Sequence, residues 1–252
     1  LNKNFNFMID RLKNQQEKLI IKERHEAWEN LARKLAHEIK NPLTPIQLTI
    51  DRLKNKYADQ LTDSDQSNFR DNLKIINNQI KQIEKLVNEF SDFARMPKPV
   101  FHKNNLINLL NENIKLLQEL DNSIEIVFSN TSEEISLDSD KEQISRVFFN
   151  LIKNSIESIH QKLEKDTNAN KKITIELNDH NSHISFIIVD SGIGFKNLKG
   201  TVKDILNPYF TTKKHGSGLG LSIVNKIIND HNGNIKFIPI SDGAKIEVKF
   251  LK

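Results

Sequence analysis

The sequence predicts an α+β protein in two parts: an antiparallel helical hairpin that pairs with a second copy as a dimeric four-helix bundle, and then an α/β sandwich. Three observations predict it: two long apolar stripes at helical spacing in the first hundred residues, a Met96-Pro97-Lys98-Pro99 break, and mixed helix and strand patterns beyond it. A length of 252 residues suits about two domains. Hydrophobic content of 37% with 28% charged residues is the balance of a soluble protein with long exposed helices. The net charge of +4 comes from 37 basic against 33 acidic residues that are intermixed, which gives no footprint for nucleic acid. Absence of cysteine excludes disulfides and thiolate ligands. No apolar run approaches the roughly 20 residues that span a bilayer, and no signal peptide is visible.

Taken in order, residues 1–24 carry a sparse heptad-like pattern (Phe5, Met8, Leu12, Leu19), which suits a partly ordered helical leader or a signal-relay coiled coil equally. The first strong helix runs from about Glu23 to Lys56, with Leu31, Leu35, Ile39, Leu43, Ile46, Ile50 and Leu53 as its stripe and Trp28 extending it backward. Polar residues from Tyr57 to Ser67 make a connection in which Thr62, Asp63 or Ser64 caps the second helix. A cleaner stripe comes next: Phe69, Leu73, Ile76, Ile80, Ile83, Val87 and Phe90. Two such helices on a short link have too little apolar cover alone, so a homodimer is expected.

Residues 25–96 thus form one domain, 97–100 a proline-stiffened linker, and 101–252 a second domain. In the latter the pattern predicts helices near Asn104–Leu120, Lys141–Leu163 and Leu221–Asp230. Strands are predicted around Ile124–Phe128, Lys172–Leu177, His183–Val189, Asn234–Ile238 and Lys245–Leu251.

His37 lies on the first helix, roughly 200° from Leu35 and from Ile39, so its imidazole points away from the stripe. A neutral ring nitrogen can attack a phosphoryl group when a neighbouring carboxylate, here Glu38, stabilises the other nitrogen. Asn41 shares the face one turn on, and Pro42, costly inside a helix, suggests a kink that serves as a hinge. A lone His-Glu pair is more often a solvated face, and a zinc-protease H-E-x-x-H fails because Asn41 stands where the second histidine belongs.

Three further clusters suit a nucleotide. Asn150 and Asn154, one turn apart with Lys153 beside them, offer hard oxygens to Mg²⁺ and a cation to phosphate, though each alone is an ordinary polar surface. Asp190 closes an apolar strand before Ser191-Gly192-Ile193-Gly194, where a carboxylate can accept from an exocyclic amine and the glycines let backbone approach a flat ring. Gly216-Ser217-Gly218-Leu219-Gly220 immediately precedes a helix and can present amides to phosphate, but is neither a Walker loop nor a dinucleotide fingerprint. Between the glycine clusters lie some twenty residues of weak periodicity, with Pro208-Tyr209-Phe210-Thr211-Thr212-Lys213, as in a functional lid.

In that order, His37-Glu-Ile-Lys-Asn-Pro42, Asn150 to Asn154, Asp190 to Gly194, Pro208 to Lys213 and Gly216 to Gly220 resemble the H, N, G1, F and G2 boxes of bacterial sensor histidine kinases of the GHKL superfamily. The resemblance covers about residues 25–252, and Ala27-Trp28 with Asn41-Pro-Leu-Thr-Pro-Ile46 looks most like the NtrY-type nitrogen-regulation sensors. The start, Asn4-Phe-Asn-Phe-Met8, resembles the last helix of a HAMP relay module.

The resemblance implies a Bergerat-type ATP-binding sandwich behind the bundle, with His37 autophosphorylated from ATP, Glu38 the general base and Asn41 positioning water for regulator dephosphorylation. It implies Asn154 as the Mg²⁺ ligand, Asn150 and Lys153 toward the phosphates, and Asp190 with Gly192 and Gly194 at the adenine. Phe210, Thr211, Thr212, Lys213, Gly216, Gly218, Leu219 and Gly220 become lid and phosphate loop. The phosphoryl group then passes to an aspartate on a response-regulator receiver domain, NtrX-like by the same resemblance. Because the chain begins at Leu1, it is read as the cytoplasmic portion of an inner-membrane-anchored protein whose membrane segment lies outside it. Two alternatives stand beside this: a catalytically silent nucleotide-binding scaffold of the same fold, and a GHKL-type ATPase or serine kinase.

Overall fold

The computed structural model describes residues 34–57, 63–94, 96–195, 202–208, 210–213 and 216–252, so the leader expected over 1–24 lies outside them, as do Trp28 and Leu31. The chain divides into two compact units between Met96 and Pro97.

In the first unit, helix α1 (34–57) and helix α2 (Asp63–Ala94) are joined by the short connection 58–62, which makes them a hairpin. Their seam is built on a seven-residue spacing: Ala36, Leu43 and Ile50 on α1, and Leu73, Ile80 and Val87 on α2, are all buried. Leu43, Ile50, Leu73 and Ile80 form one cluster with Phe69 packed against it, and Gln47 Nε2 donates to Asn77 Oδ1 at 3.2 Å beside it. Much of the rest of each predicted stripe stays uncovered within one chain: Leu35, Ile39, Ile46, Leu53, Ile76 and Ile83 are 37–46% exposed. Helix α1 is helical without interruption through Pro42 and Pro45, with Thr49 Oγ1 donating to the Pro45 carbonyl at 2.8 Å, so the prolines do not end it. An α-helical ladder would bond the carbonyls of Glu38 and Asn41 to residues 42 and 45, and both of those are prolines without an N–H.

The second unit runs β1 (His102–Asn105), α3 (Leu106–Leu120), β2 (Glu125–Asn130), β3 (Ser136–Ser139), α4 (Lys141–Leu163), β4 (Lys172–Asp179) and β5 (His183–Asp190). A short 3-10 helix (Val202–Leu206), α5 (Gly220–Asp230), β6 (Gly233–Pro239) and β7 (Ala244–Leu251) complete it. Five strands form one sheet in the order β2-β4-β5-β7-β6, parallel only between β2 and β4, while β1 and β3 make a small antiparallel pair. Alternate residues of the central strands are buried: Ile173, Ile175 and Leu177 on β4, Ile184, Phe186 and Ile188 on β5, and Ile246, Val248 and Phe250 on β7. Helix α4 lays Ile144, Phe148, Leu151 and Ile152 into this core, with the Phe148 and Phe186 ring centroids 4.9 Å apart.

Side-chain caps set where the helices begin. Asn105 Oδ1 accepts from the amides of Ile107 and Asn108 to start α3, and Asp140 Oδ1 accepts from Gln143 N at 3.1 Å to start α4. Residues 97–100, read from the sequence as a linker, are hydrogen-bonded into this unit. Gln143 Nε2 donates to the Pro97 carbonyl and Val100 N to Asp140 Oδ2, each at 2.9 Å. Strands β1 and β3 and the 3-10 helix have no counterpart among the expected elements; four-residue strands reading His-Lys-Asn-Asn and Ser-Leu-Asp-Ser carry no apolar alternation to detect.

Candidate functional site

On α1, His37, Glu38 and Asn41 are all exposed while their neighbour Ala36 is buried, so the imidazole faces outward from the hairpin seam as the helical spacing requires.

In the second unit, helix α4 is the element on which the remaining predicted residues gather. Asn150 turns its Nδ2 back to the Arg146 carbonyl at 3.0 Å and brings Oδ1 close to the start of α5, where a Cβ added at Gly220 would lie 3.6 Å from it. One turn on, Asn154 Oδ1 accepts from Lys213 Nζ at 2.9 Å, which ties the segment after the 3-10 helix to α4. Lys213 Nζ also meets Glu157 Oε2. Lys153 is placed differently: its ammonium lies 5.9 Å over the Phe149 ring and 3.9 Å from Glu157 Oε1.

Asp190 ends β5 with only 5% of its surface exposed. Its Oδ1 accepts from Gly192 N at 2.9 Å and its Oδ2 from Ser155 Oγ at 3.2 Å. Burial pushes this carboxyl above the ordinary carboxylate range; the Gly192 amide, the Ser155 hydroxyl and the Ala244 amide oppose that without cancelling it. The loop behind it is packed too closely for side chains. A Cβ at Gly192 would stand 2.1 Å from Ser158 Oγ, and at Gly243, where φ is +100°, 1.7 Å from the Asp190 carbonyl oxygen.

The glycine-rich turn leads straight into α5. Gly218 has φ +69°, Leu219 is buried as the N-cap residue, and no side chain caps the helix, which leaves its first amides for an anion. Ahead of it Thr211 Oγ1 accepts from Lys213 N at 3.1 Å and Gly216 N donates to the Lys213 carbonyl at 3.3 Å. Thr211 and Thr212 are exposed and Phe210 is half-buried.

Sequence reasoning does not single out Ser155, Glu157, Ser158, Lys162, Asp242 or Gly243. Lys162 Nζ donates to the Ser191 carbonyl at 2.9 Å and meets the Asp242 carboxylate, so it joins the end of α4, the loop after β5 and the β6–β7 turn. Ser158 Oγ accepts from Ile193 N at 3.1 Å. One signal for these is present: Asn150, Asn154, Ser158 and Lys162 recur every fourth residue and so share one face of α4. Gly243 carries none, because its role depends on strand β7 approaching β5.

The donor set suits a magnesium nucleotide. A buried carboxylate, uncapped helix amides and amide oxygens on α4 match a base, phosphates and a hard cation in turn, and Asn154 Oδ1 already sits against a cationic group. Among the described residues there is no cluster of three or more His, Cys, Asp or Glu that could hold a metal ion.

Comparison with known proteins matches each of the two units to a family. Residues 27–99 match the family described as the His Kinase A (phospho-acceptor) domain, and residues 139–252 match the histidine kinase-, DNA gyrase B- and HSP90-like ATPases. A putative sensor histidine kinase NtrY-like from Rickettsia felis is 36% identical over 248 residues, covering 98% of this chain and 40% of that protein. The nitrogen regulation protein NtrY of Azorhizobium caulinodans is 35% identical over 226 residues, covering 89% of this chain and 28% of that protein. The chain therefore spans well under half the length of these relatives. Among solved structures, histidine kinase ThkA in complex with response regulator protein TrrA matches with TM-score 0.65 and 26% identity over 95% of this chain and 66% of that one. The nucleotide-free catalytic domain of ThkA matches with TM-score 0.52 and 28% identity over 61% of this chain and 96% of that one. With a phosphoacceptor hairpin ahead of an ATPase sandwich, the chain belongs to the sensor histidine kinases, NtrY type.

Proposed function

We propose that this chain is the kinase portion of a two-component sensor, which phosphorylates His37 from ATP and hands the phosphoryl group to an aspartate of a response regulator. The observation that carries the reading is the face of α4, where Asn150 neighbours the start of α5, Asn154 holds Lys213 and Ser155 holds Asp190. Asp190 accepts the exocyclic amine of adenine, with Gly192 and Gly194 lending their backbone to the ring. The uncapped start of α5, with Gly216, Gly218, Leu219 and Gly220, receives phosphate oxygens together with Asn150, Lys153 and the segment Phe210–Lys213. Asn154 would hold Mg²⁺, which would supply neutralisation of charge on those oxygens.

Exposed as it is, His37 offers a ring nitrogen to the γ-phosphorus: an N–P bond forms, the bond to the bridging oxygen breaks, and ADP leaves. Glu38 takes the ring proton as general base, and Asn41 orients water when the regulator is dephosphorylated. Relatives named for nitrogen regulation, and a relative crystallised with a response regulator, support a receiver domain as the second acceptor, of the NtrX-like kind. Uncovered Leu35, Ile39, Ile46, Leu53, Ile76 and Ile83 support a second copy of the chain as the partner that completes a four-helix bundle. No described helix is long and apolar enough to cross a membrane, and the relatives' greater length supports anchoring through a segment outside this chain.

Incubating the chain with Mg²⁺ and γ-labelled ATP tests the reading. The expected product is an acid-labile, base-stable label that disappears in His37→Gln. No label at all would point to a silent scaffold, and an acid-stable label to a serine kinase.

A further inference from the structure

Glu157 has no part in the function just proposed, yet it shares a cation with a residue that does. Lys213 Nζ touches Asn154 Oδ1 and Glu157 Oε2 together, so an amide oxygen and a carboxylate oxygen, three residues apart on α4, converge on one positively charged point. The ion-paired side chains are only partly exposed, Lys213 at 27% and Glu157 at 39%. Two hard oxygens on a rigid helix are also what Mg²⁺ takes from a protein when phosphates and water supply its other ligands. An ammonium and a magnesium ion cannot use the same pair at once.

We propose that Asn154 and Glu157 form a single cation seat, with Glu157 a metal-site residue, and that Lys213 fills the seat until it yields it to nucleotide-borne Mg²⁺. This rests on the reading of the second unit as a Mg·ATP site. Its consequence is an exchange of positions: the ammonium released from α4 becomes free to meet phosphate. Thr211 and Gly216, which bond to the backbone of Lys213, move with it. Lys153 lies 3.9 Å from the other Glu157 oxygen, so a second cation stands near the carboxylate before nucleotide arrives. In this arrangement the seat is neutralised from within by Lys213 before nucleotide arrives, and a carboxylate next to incoming phosphates is never left unpaired.

The test uses the full chain with Mn²⁺ as a spectroscopic stand-in for Mg²⁺, measuring free Mn²⁺ by paramagnetic resonance without nucleotide. Lys213→Met is expected to bind Mn²⁺ roughly tenfold tighter than the unaltered chain, and the double variant Lys213→Met with Glu157→Gln to fall back to the unaltered level. Equal affinity in Lys213→Met and the unaltered chain, or enhanced affinity that survives in the double variant, overturns the proposal. Circular-dichroism melting of each variant confirms that the compared proteins are folded. A parallel titration of the unaltered chain with an ATP analogue separates the two ideas: no binding there sinks the nucleotide reading itself. Binding with no Mn²⁺ difference among the variants sinks only the shared seat.

Discussion

The backbone amide of Asp140 donates to Nε2 of His231 at 3.0 Å, so one imidazole joins the start of α4 to the end of α5. A backbone N–H can only donate and the Ile227 carbonyl, 2.8 Å from Nδ1, can only accept, so the hydrogen bonds place the ring proton on Nδ1. The ring is 4% exposed and packs edge-on to Phe101 at 5.1 Å. His231→Ala removes two buried hydrogen bonds and leaves a cavity, so denaturant unfolding should show a loss of about 2–4 kcal/mol. A loss under about 0.5 kcal/mol would mean that the ring is only space-filling.

Asp140 should make the same corner sensitive to acid. Burial pushes its carboxyl up, but the amides of Val100, Gln143 and Glu142 outweigh burial and hold it below the ordinary range. A depressed folded-state value means that the stabilisation is fully present above the unfolded value near 3.8 and is lost as pH falls through the lower, folded one. Asp140→Ala should cost about 1 kcal/mol at neutral pH by removing the cap, and the difference from the unaltered chain should shrink on acidification below pH ~4. A gap that stays constant in a pH series of unfolding curves would refute it.

For Asp190 the sign reverses. Its folded-state value is raised, chiefly by burial, so its contribution is most favourable below the unfolded value and is eroded as pH rises through the folded one. Asp190→Asn should therefore melt higher than the unaltered chain at neutral pH, with the advantage fading in acid. The same variant should bind an ATP analogue roughly 10- to 100-fold more weakly, since it loses a charged acceptor for the adenine amine. Calorimetry gives both quantities, and a lower melting temperature at pH 7 would contradict the assignment.

Gly243→Ala should damage the site from a distance along the chain. Its Cβ would enter the Asp190 carbonyl, and a φ of +100° is strained for alanine in any case. The β5–β7 pairing of Asp190 with Ala244 would have to shift, and we expect about 3 kcal/mol of destabilisation with loss of analogue binding. Melting and affinity both equal to those of the parent would show that the turn simply relaxes.

Ile46→Lys tests the pairing of two copies. Ile46 is 46% exposed in one chain, so lysine is tolerated there until a second hairpin covers it. With about 1.5 kcal/mol lost in each copy, association should weaken roughly 100-fold in sedimentation equilibrium. An unchanged dissociation constant would place the interface elsewhere.

How much of the fold and site is legible in the residues alone differs by element. The α4 and α5 spans, the five strands of the main sheet and the exposure of His37 follow from periodicity, because each buries one face against a single partner layer. The hairpin stripe is visible but not its division. Leu43 and Ile50 face the partner helix while Ile39 and Ile46 stay open, and all four fit the same helical period. Helix α1 continues through Pro42, as the predicted span to Lys56 requires, since a proline costs one ladder bond and long helices on a packed seam absorb it. Asp190 can be found as a carboxylate at a strand end. Ser155, Lys162 and Gly243 cannot, because what matters is which strand or loop arrives beside them.

The two units differ in how completely each is closed. The sandwich buries Phe148, Phe186 and Phe250 within a single polypeptide, whereas the hairpin leaves much of its apolar stripe uncovered alone. Dilution therefore acts on them unequally. On the proposal that a second copy covers that stripe, mass action would make the hairpin the part whose persistence depends on concentration, while the sandwich needs no partner to close its core. On the same proposal, scarcity would loosen the helix that carries His37 long before it touched the pocket around Asp190.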